Sequence, residues 1–222
     1  MNILLLMAGK GSRFAHSEYD TPKVLIDISG KPMYLHALES LGLAGKVIAV
    51  TQSSHSIAID NAIVIKTDKV LQGAVMSAML AKEHIDNEDE LIVMNADQII
   101  EWDPGMIENA KAYDGALLLF NAIGNRWSFA RVLDSLIIEV AEKKEISTHA
   151  LAGVHYWKRG SDFVKYAQEM IEEQDLTNNE YYVAPIYNYA IKDGKKIMPI
   201  FIKQMYDLGT PEALTNYLSD II

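Results

Sequence analysis

The segment Asn2–Met7 (NILLLM) is a short and almost entirely apolar run that leads directly into a turn containing Gly9 and Gly11. A run of this kind, closed by glycine, is typical of a strand that is buried on both faces of a parallel sheet. Such a strand needs helices over both faces of its sheet, so this feature alone favours an α/β protein. With about seven apolar residues and no basic segment before it, the run does not fit a signal peptide.

The first half of the chain continues with alternating strand and helix patterns. The predicted strands are Lys46–Thr51, Ala62–Ile65 and Glu90–Met94, and the predicted helices are Met33–Leu43 and Gln72–His84. This alternation indicates βαβ units and a doubly wound parallel sheet.

The second half has a different rhythm, because strand-like runs follow one another without helices between them. The predicted elements are strands Ala116–Asn121, Phe129–Leu133, Leu136–Ala141 and Ala150–Trp157, helices Ser161–Glu173 and Ala184–Lys192, strand Lys196–Ile202, and helix Pro211–Leu218 within the C-terminal segment 211–220. We find no internal repeat or long linker. The prediction is therefore one domain over 1–222, with a first part of about 1–115 and a second of about 116–205 that forms one wall of a cleft.

Composition excludes several classes of function. The chain has 222 residues, a net charge of −10 and no cysteine, so disulfides, thiolate metal sites and a cysteine nucleophile are excluded. An acidic chain without a basic cluster repels nucleic acid, although a local pair of cations can still bind a small anion. No run approaches the roughly 20 apolar residues of a membrane-spanning helix. We expect a cytoplasmic protein with no nucleic-acid or membrane partner, and a homo-oligomer stays open.

The stretch AGKGSRF, residues 8–14, has two readings. The first is a phosphate-binding turn between a strand and an expected helix, in which Gly9 and Gly11 allow backbone N–H groups to approach a phosphate. Ser12 would add a hydroxyl donor and Arg13 a delocalised positive charge. The stretch matches neither the Walker nor the Rossmann glycine pattern, so a plain tight turn remains open. The polar loop Ala15–Thr21 could fold over a ligand and bring Lys23 beside Arg13; a solvated surface lysine is the alternative.

Two aspartates and a group of residues in the second half complete the candidate set. Asp97 follows a buried strand, where ligands bind in open parallel sheets, and Asp207 precedes the last helix. Both could hold Mg²⁺, or both could be ordinary turn residues. The remaining candidates are Glu142, Lys143, Gly153 and Glu180. Each also has an ordinary structural explanation: a solvated strand edge for the first two, a weakened strand position for the glycine, and a position near a helix N-terminus for Glu180.

Taken together, these residues resemble the sugar-1-phosphate nucleotidylyltransferases, the family that makes NDP-sugars. The resemblance rests on AGKGSRF followed by TPKVLIDISGKPM, and continues in the family's order with LQGAVMSAMLA, VMNADQ, EVAEKK, LAGVHYW and YDLGTPEAL. It covers nearly the whole chain. The segments NADQ, WSFA, AEKKEIS and NNEYYVAPIYN are most similar in sequence to a small single-domain branch of the family, which is associated with capsule and surface-polysaccharide genes.

The resemblance implies a Rossmann-like three-layer α/β/α fold, the nucleotide-diphospho-sugar transferase fold, with a mixed, mainly parallel sheet and an inserted sugar-binding β lobe. It implies that an NTP and a phosphorylated acceptor give an NDP-linked product and pyrophosphate. It also implies roles for individual residues: Ala8, Gly9, Gly11, Ser12, Gln72 and Gly73 for the nucleotide, Arg13 and Lys23 for catalysis, Asp97 and Asp207 for Mg²⁺, and Glu142, Lys143, Gly153 and Glu180 for the sugar.

Some residues differ from the family pattern, and these differences bear on the identity of the substrate more than on the type of reaction. Met205 stands where many relatives carry tryptophan, and Phe129–Ala130 stands where many hexose enzymes have Tyr-Gly. Two other functions therefore stay open. One is transfer to a non-sugar phosphate such as phosphocholine, for which an aromatic cage would be needed; its candidates are Trp127, Tyr156, Trp157 and Tyr182. The other is a nucleotide-sensing module that has lost catalysis.

Overall fold

The computed structural model describes residues 1–14 and 19–220, so most of the predicted loop Ala15–Thr21 lies outside the described residues. The strands are β1 (Asn2–Met7), β2 (Asp27–Ile28), β3 (Lys31–Pro32), β4 (Lys46–Gln52), β5 (Ile63–Thr67), β6 (Leu91–Asn95), β7 (Gln98–Glu101), β8 (Gly115–Asn121), β9 (Ser128–Leu133), β10 (Leu136–Glu142), β11 (His149–Trp157), β12 (Ile197–Phe201) and β13 (Gln204–Asp207). The helices are α1 (Met33–Leu41), α2 (Ala74–Met79), α3 (Lys82–Ile85), α4 (Ile107–Ala110), α5 (Gly160–Glu172), α6 (Ile186–Lys192) and α7 (Pro211–Asp220).

One large sheet organises the molecule, with strand order β5-β4-β1-β6-β11-β8-β12-β10-β9. The four strands from the first half of the chain, β5, β4, β1 and β6, are parallel to one another, as predicted. Leu4 of β1 lies opposite Ile48 on one side and Val93 on the other, so β1 is an inner strand. The apolar run at the N-terminus thus forms the buried centre of the parallel part.

The direction of the strands changes at β11, which is antiparallel to both of its neighbours, β6 and β8. Beyond it, β12 is parallel to β8, and β10 and β9 complete the sheet in antiparallel pairs. The strands of the second half therefore extend the sheet of the first half. The mixed α/β class predicted from the sequence is confirmed.

Helices cover both faces of this sheet. On one face Ile3, Leu5 and Met7 pack in a cluster with residues of α1, and on the other Leu4 and Ala8 pack in a cluster with residues of α2, α5 and α6. The alternation follows from the period of two in a strand. None of the helices in the described part has the length and apolarity needed to cross a bilayer.

Several elements differ from the sequence prediction. Helix α1 ends at Leu41, two residues early, because Gly42 adopts the left-handed conformation with φ 64°. The single helix predicted over Gln72–His84 is wrong: α2 and α3 are separate, because the N–H groups of Leu80 and Ala81 bond carbonyls three residues back and close a tight turn. The antiparallel ribbon of β7 and β13 was not predicted at all.

Candidate active site

A cleft of about 650 Å³ lies beyond the carboxyl ends of β1 and β6. Of the residues predicted for catalysis, nucleotide, metal or sugar, all but one line it, from Ala8 in the first turn to Asp207 near the last helix. The exception is Gln72, whose side-chain amide donates to the carbonyl oxygen of Asn179 at 3.1 Å. The structure therefore brings together residues that are scattered over the whole sequence.

The turn after β1 has a shape that differs from the expected one. Gly11 has φ 60°, and the N–H of Phe14 donates to the Gly11 carbonyl at 2.9 Å, which closes a single 3-10 turn over Ser12–Phe14. The expected α-helix does not start here, since the first α-helix begins at Met33. An anion in this turn would thus meet backbone N–H groups and the exposed side chain of Arg13, without the dipole of a long helix.

One wall of the cleft depends on Gly73, which precedes α2. Its φ is 100°, and a Cβ atom added to it would lie 2.5 Å from the carbonyl oxygen of Tyr181. That same carbonyl accepts a hydrogen bond from the N–H of Val75 at 3.1 Å. Glycine at this position lets the start of α2 join the segment that precedes α6, so the two close one wall of the cleft.

The ammonium group of Lys23 lies 2.5 Å from Oδ2 of Asp97, and about a fifth of each side chain is exposed. Lys23 comes from a short 3-10 turn after Pro22, whereas Asp97 follows the end of β6. The sequence predicted both residues in the site but not their ion pair.

Asp207 is delivered by the unpredicted ribbon, in which it lies opposite Gln98 of β7. The N–H of Leu208 donates to the backbone carbonyl of Asp97 at 2.8 Å, which ties the two segments together. A Cβ atom added to Gly209 would lie 2.8 Å from Oδ1 of Asp207, 3.3 Å from Oδ2 of Asp97 and 3.5 Å from Nη1 of Arg13. The two carboxylates and the guanidinium thus face one point.

This pair of carboxylates fits a magnesium ion. Mg²⁺ is commonly held by one or two carboxylates together with water and phosphate oxygens. Within residues 1–14 and 19–220 there is no group of three or more His, Cys, Asp or Glu side chains arranged to hold a metal, so an all-protein cage of such residues does not form there. The donor set at Asp97 and Asp207 therefore suits an ion that is completed by its substrate.

Arg126 lies in the cleft and was not among the predicted site residues, whereas its neighbour in the cleft, Trp127, was predicted only as an aromatic-cage candidate. Arg126 donates from Nη2 to Oδ2 of Asp207 at 2.8 Å, and its guanidinium carbon lies 4.1 Å from the centre of the Trp127 ring. Trp127 in turn packs edge-on against Phe120 at 5.3 Å. Both residues lie in the loop between β8 and β9, and no local pattern in the sequence marks Arg126.

The far side of the cleft carries two carboxylates and a lysine. The hydroxyl of Ser128 donates to the carboxylate of Glu142. Burial raises the pKa of Glu142 above its ordinary value, while the hydrogen bond from Ser128 and the charge of Lys143 oppose that rise. Lys143 donates to the hydroxyl of Tyr182 and lies 4.3 Å over its ring. Glu180 is exposed at the rim.

The floor of the cleft is formed by β11. Gly153 has φ 67°, and a Cβ atom there would lie 1.8 Å from Oε1 of Gln98 and 2.7 Å from Nδ2 of Asn95, so a larger residue does not fit. Next to it, His155 is only 5% exposed and its Nδ1 has no hydrogen-bond partner in the described structure. Burial lowers the pKa of His155 to about 3, which keeps its ring neutral.

Two residues proposed for an aromatic cage are placed wrongly by the sequence reading. Tyr156 and Trp157 are 0% and 1% exposed and pack in the two apolar clusters, away from the cleft. Strand β11 is buried on both faces, so its apolar pattern gives no sign of which residues face a ligand. Only Trp127 and Tyr182 of the four candidates line the cleft.

The fold is that of the nucleotide-diphospho-sugar transferases. The nucleoside-diphosphate-sugar pyrophosphorylase from Vibrio cholerae RC9 superimposes with a TM-score of 0.87 at 24% identity, over 98% of this chain and 99% of that chain. A UDP-glucose pyrophosphorylase complexed with UDP-glucose superimposes with a TM-score of 0.82 at 17% identity, over 99% of this chain and 97% of that chain. At these identities the likeness defines the fold.

Family membership comes from the sequence itself. Residues 3–140 match the family described as the MobA-like NTP transferase domain, and the chain belongs to that family. The bifunctional protein GlmU of Methanocaldococcus jannaschii is 27% identical over 236 aligned residues, which cover 100% of this chain and 55% of that protein. The chain thus spans about half the length of the curated relatives it matches. The resemblance to nucleotidyltransferases of the NDP-sugar pyrophosphorylase type is confirmed.

Proposed function

We propose that the chain transfers a nucleotidyl group from an NTP to a sugar 1-phosphate, in a Mg²⁺-dependent reaction that gives an NDP-sugar and pyrophosphate. The observation that carries this proposal is the convergence of Arg13, Asp97 and Asp207 on one point beside Gly209, with Lys23 bonded to Asp97. Cations and metal-binding carboxylates at one point suit a reaction in which negative charge is crowded between phosphates.

The residues of the first part of the chain would bind the nucleotide. Gly9, Gly11 and Ser12 line the cleft, so their N–H groups can bind phosphate oxygens, and Arg13 can bind the phosphates that leave as pyrophosphate. Lys23 can neutralise the α-phosphate, and Asp97 and Asp207 would hold Mg²⁺. When bound, the ion supplies positive charge that offsets the charge developing on the phosphate oxygens.

The acceptor would react without an enzyme nucleophile. The phosphate of the acceptor is already ionised at neutral pH, so one of its oxygens can attack the α-phosphorus in line while pyrophosphate leaves. The protein then contributes mainly by holding the two phosphates together and neutralising their charge. Residues of the second part of the chain would position the acceptor: Glu142, Lys143, Gly153 and Glu180.

The chemistry of the far wall favours a sugar over a quaternary ammonium. Trp127 and Tyr182, the aromatic candidates in the cleft, each carry a cation of the protein itself, Arg126 at 4.1 Å and Lys143 at 4.3 Å. A second cation on either ring would be repelled. The carboxylates of Glu142 and Glu180, in contrast, are good acceptors for sugar hydroxyls. Phosphocholine is therefore the weaker candidate.

Three further assignments belong to the same proposal. The division into a nucleotide-binding part of about 1–115 and a substrate-binding lobe of about 116–205 corresponds to the residues that would bind the NTP and those that would bind the acceptor. Location in the cytoplasm follows from the use of NTP. A role in capsule or other surface-polysaccharide biosynthesis follows from the sequence resemblance to the small single-domain branch that is associated with such genes.

The test is a grid of pyrophosphate release with Mg²⁺, in which ATP, CTP, GTP, UTP and dTTP are each paired with a panel of sugar 1-phosphates and with phosphocholine. We expect turnover with one NTP and one sugar 1-phosphate, and no turnover without the divalent cation. Turnover with phosphocholine alone would show that the acceptor is phosphocholine and not a sugar 1-phosphate. Binding of NTP in a thermal-shift assay, with no turnover in any pair, would contradict the proposal and favour a nucleotide-sensing module.

A further inference from the structure

Each of the two metal-site carboxylates is paired with a cation, and the two cations come from different parts of the chain. Asp97 is paired with Lys23, whereas Asp207 is paired with Arg126, which lies between β8 and β9. Lys23 has a place in the proposed reaction. Arg126 has none so far, although it lies in the same cleft.

The surroundings of Arg126 show that its ion pair is not a structural support. Its side chain is 58% exposed, while that of Asp207 is 15% exposed. An ion pair that is this open to water adds little to stability, so the arginine can leave it at small cost. Its guanidinium rests on Trp127, which Phe120 fixes edge-on, and this contact keeps the charge at the mouth of the cleft.

A divalent cation bound by Asp207 would compete with the guanidinium for the same carboxylate. Once displaced, Arg126 has its charge and its forked donors free beside the place where two substrate phosphates meet. A planar guanidinium suits a phosphate well, because two of its N–H groups can bond two phosphate oxygens. Arg126 belongs to the second part of the chain, which positions the acceptor in the proposed function, so the acceptor phosphate is the one it would bind.

We propose that Arg126 is an acceptor-phosphate-binding residue, which Asp207 holds until a divalent cation takes up that carboxylate. This inference rests on the proposed function, because it assigns a residue to one of the two substrates. It requires that metal and acceptor favour each other's binding, since the metal releases the arginine that the acceptor uses.

The first test measures metal binding alone. Arg126→Gln is compared with Arg131→Gln, which removes a similarly exposed arginine that pairs with Glu139 at 2.5 Å on the outer strands. Free Mn²⁺ is titrated by electron paramagnetic resonance without nucleotide. We expect Arg126→Gln to bind Mn²⁺ about two- to fivefold more tightly than the wild type, because a weak competitor is gone. Arg131→Gln should match the wild type.

The second test measures phosphate binding with methyl phosphate, which carries the group that all sugar 1-phosphates share. Titrations followed by ³¹P NMR are run with and without Mg²⁺. The wild type and Arg131→Gln should bind methyl phosphate more tightly with Mg²⁺, whereas Arg126→Gln should lose about tenfold in affinity and respond less to Mg²⁺. Arg126→Lys keeps the positive charge but loses the paired N–H donors of the guanidinium, so it should retain part of the affinity for methyl phosphate.

Unchanged or weaker Mn²⁺ binding in Arg126→Gln would overturn the competition with the metal. Unchanged methyl phosphate binding would overturn the assignment to phosphate. Neither measurement depends on turnover, so an inactive grid of substrates would count against the proposed reaction and not against Arg126. Circular dichroism of each variant checks that the exposed substitutions leave the fold intact.

Discussion

Lys23 and Asp97 are 74 residues apart in the sequence, yet their side chains form an ion pair of 2.5 Å in the cleft. The pair joins the turn after Pro22 to the carboxyl end of β6. Each member has a use beyond the other, because Lys23 can bind phosphate and Asp97 can bind a metal. In the proposed function, binding of NTP and Mg²⁺ would therefore exchange this pair for contacts with these ligands.

Replacing Lys23 with alanine should lower turnover by orders of magnitude and leave the fold intact. In the proposed reaction the lysine neutralises phosphate charge in the transition state, whereas a partly exposed side chain supports little packing. The measurement is kcat for pyrophosphate release, with circular dichroism as the check on folding. Lys31→Ala is the matched control, since Lys31 pairs with Glu39 at 2.7 Å on the surface. Near-normal turnover would remove Lys23 from the mechanism.

Replacing Asp97 with asparagine should abolish activity that depends on Mg²⁺. The amide keeps the size of the carboxylate but loses its charge, so both the metal and Lys23 lose a partner. Mn²⁺ binding should weaken at least tenfold in the same variant. Asp193→Asn serves as the control, because Asp193 pairs with Lys165 at 2.7 Å away from the cleft. Wild-type metal dependence in Asp97→Asn would show that the metal binds elsewhere.

Replacing Gly153 with alanine should destabilise the protein by more than the backbone strain alone. Alanine at a positive φ costs about 1–2 kcal/mol, and here its Cβ would also overlap the side chain of Gln98. Gly194→Ala separates the two effects, because Gly194 has φ 80° and no atom within 4 Å of an added Cβ. Urea unfolding should show a clearly larger loss for Gly153→Ala; equal losses would mean that Gln98 moves aside freely.

The buried His155 should make the fold sensitive to acid. Its pKa is about 3 in the folded protein, against an ordinary value of 6.5, so the unfolded chain takes up a proton that the folded protein refuses. Stability should therefore fall as the pH drops below 6.5, by up to about 1.4 kcal/mol for each pH unit. The buried carboxyl of Glu142, whose pKa is raised, acts in the opposite sense.

The comparison of variants isolates the histidine, because Glu142 is common to all of them. Urea unfolding at pH 7 and pH 5 should show that His155→Gln loses about 2 kcal/mol less than the wild type over this interval. His84→Gln is the control, since that histidine lies next to Glu83 at the surface and is partly exposed. Equal acid losses in the wild type and His155→Gln would show that the ring is protonated without unfolding.

The strands of the parallel core could be predicted because each carries its signal locally. β1, β4 and β6 are apolar runs bounded by polar residues or glycine, and each was placed to within a residue or two. The ribbon of β7 and β13 has no such signal: each strand is four residues long, and its stability comes from pairing with a partner a hundred residues away. Short strands of this kind depend on tertiary contacts.

The site could be predicted as a set of residues but not as an arrangement. The charged residues at turns and strand ends stand out, and most of them line the cleft. Which cation meets which carboxylate is decided by loops, as with Arg126, whose position depends on the packing of Trp127 against Phe120. Gln72 shows the same dependence on tertiary contacts, because its side chain bonds the carbonyl of Asn179, which its place in the sequence does not indicate.

The pairing of β13 with β7 also sets the order in which the cleft is completed during synthesis. A chain that is still growing on the ribosome can already pair β1, β4 and β6 and place Asp97 at their ends. It has no second carboxylate until β13 has emerged and joined β7, and Gly209 closes the turn beside both aspartates. The two-carboxylate centre is thus withheld from every shorter nascent chain, so in the proposed function a metal and a nucleotide would meet a finished cleft only after the walls that would hold the acceptor are in place.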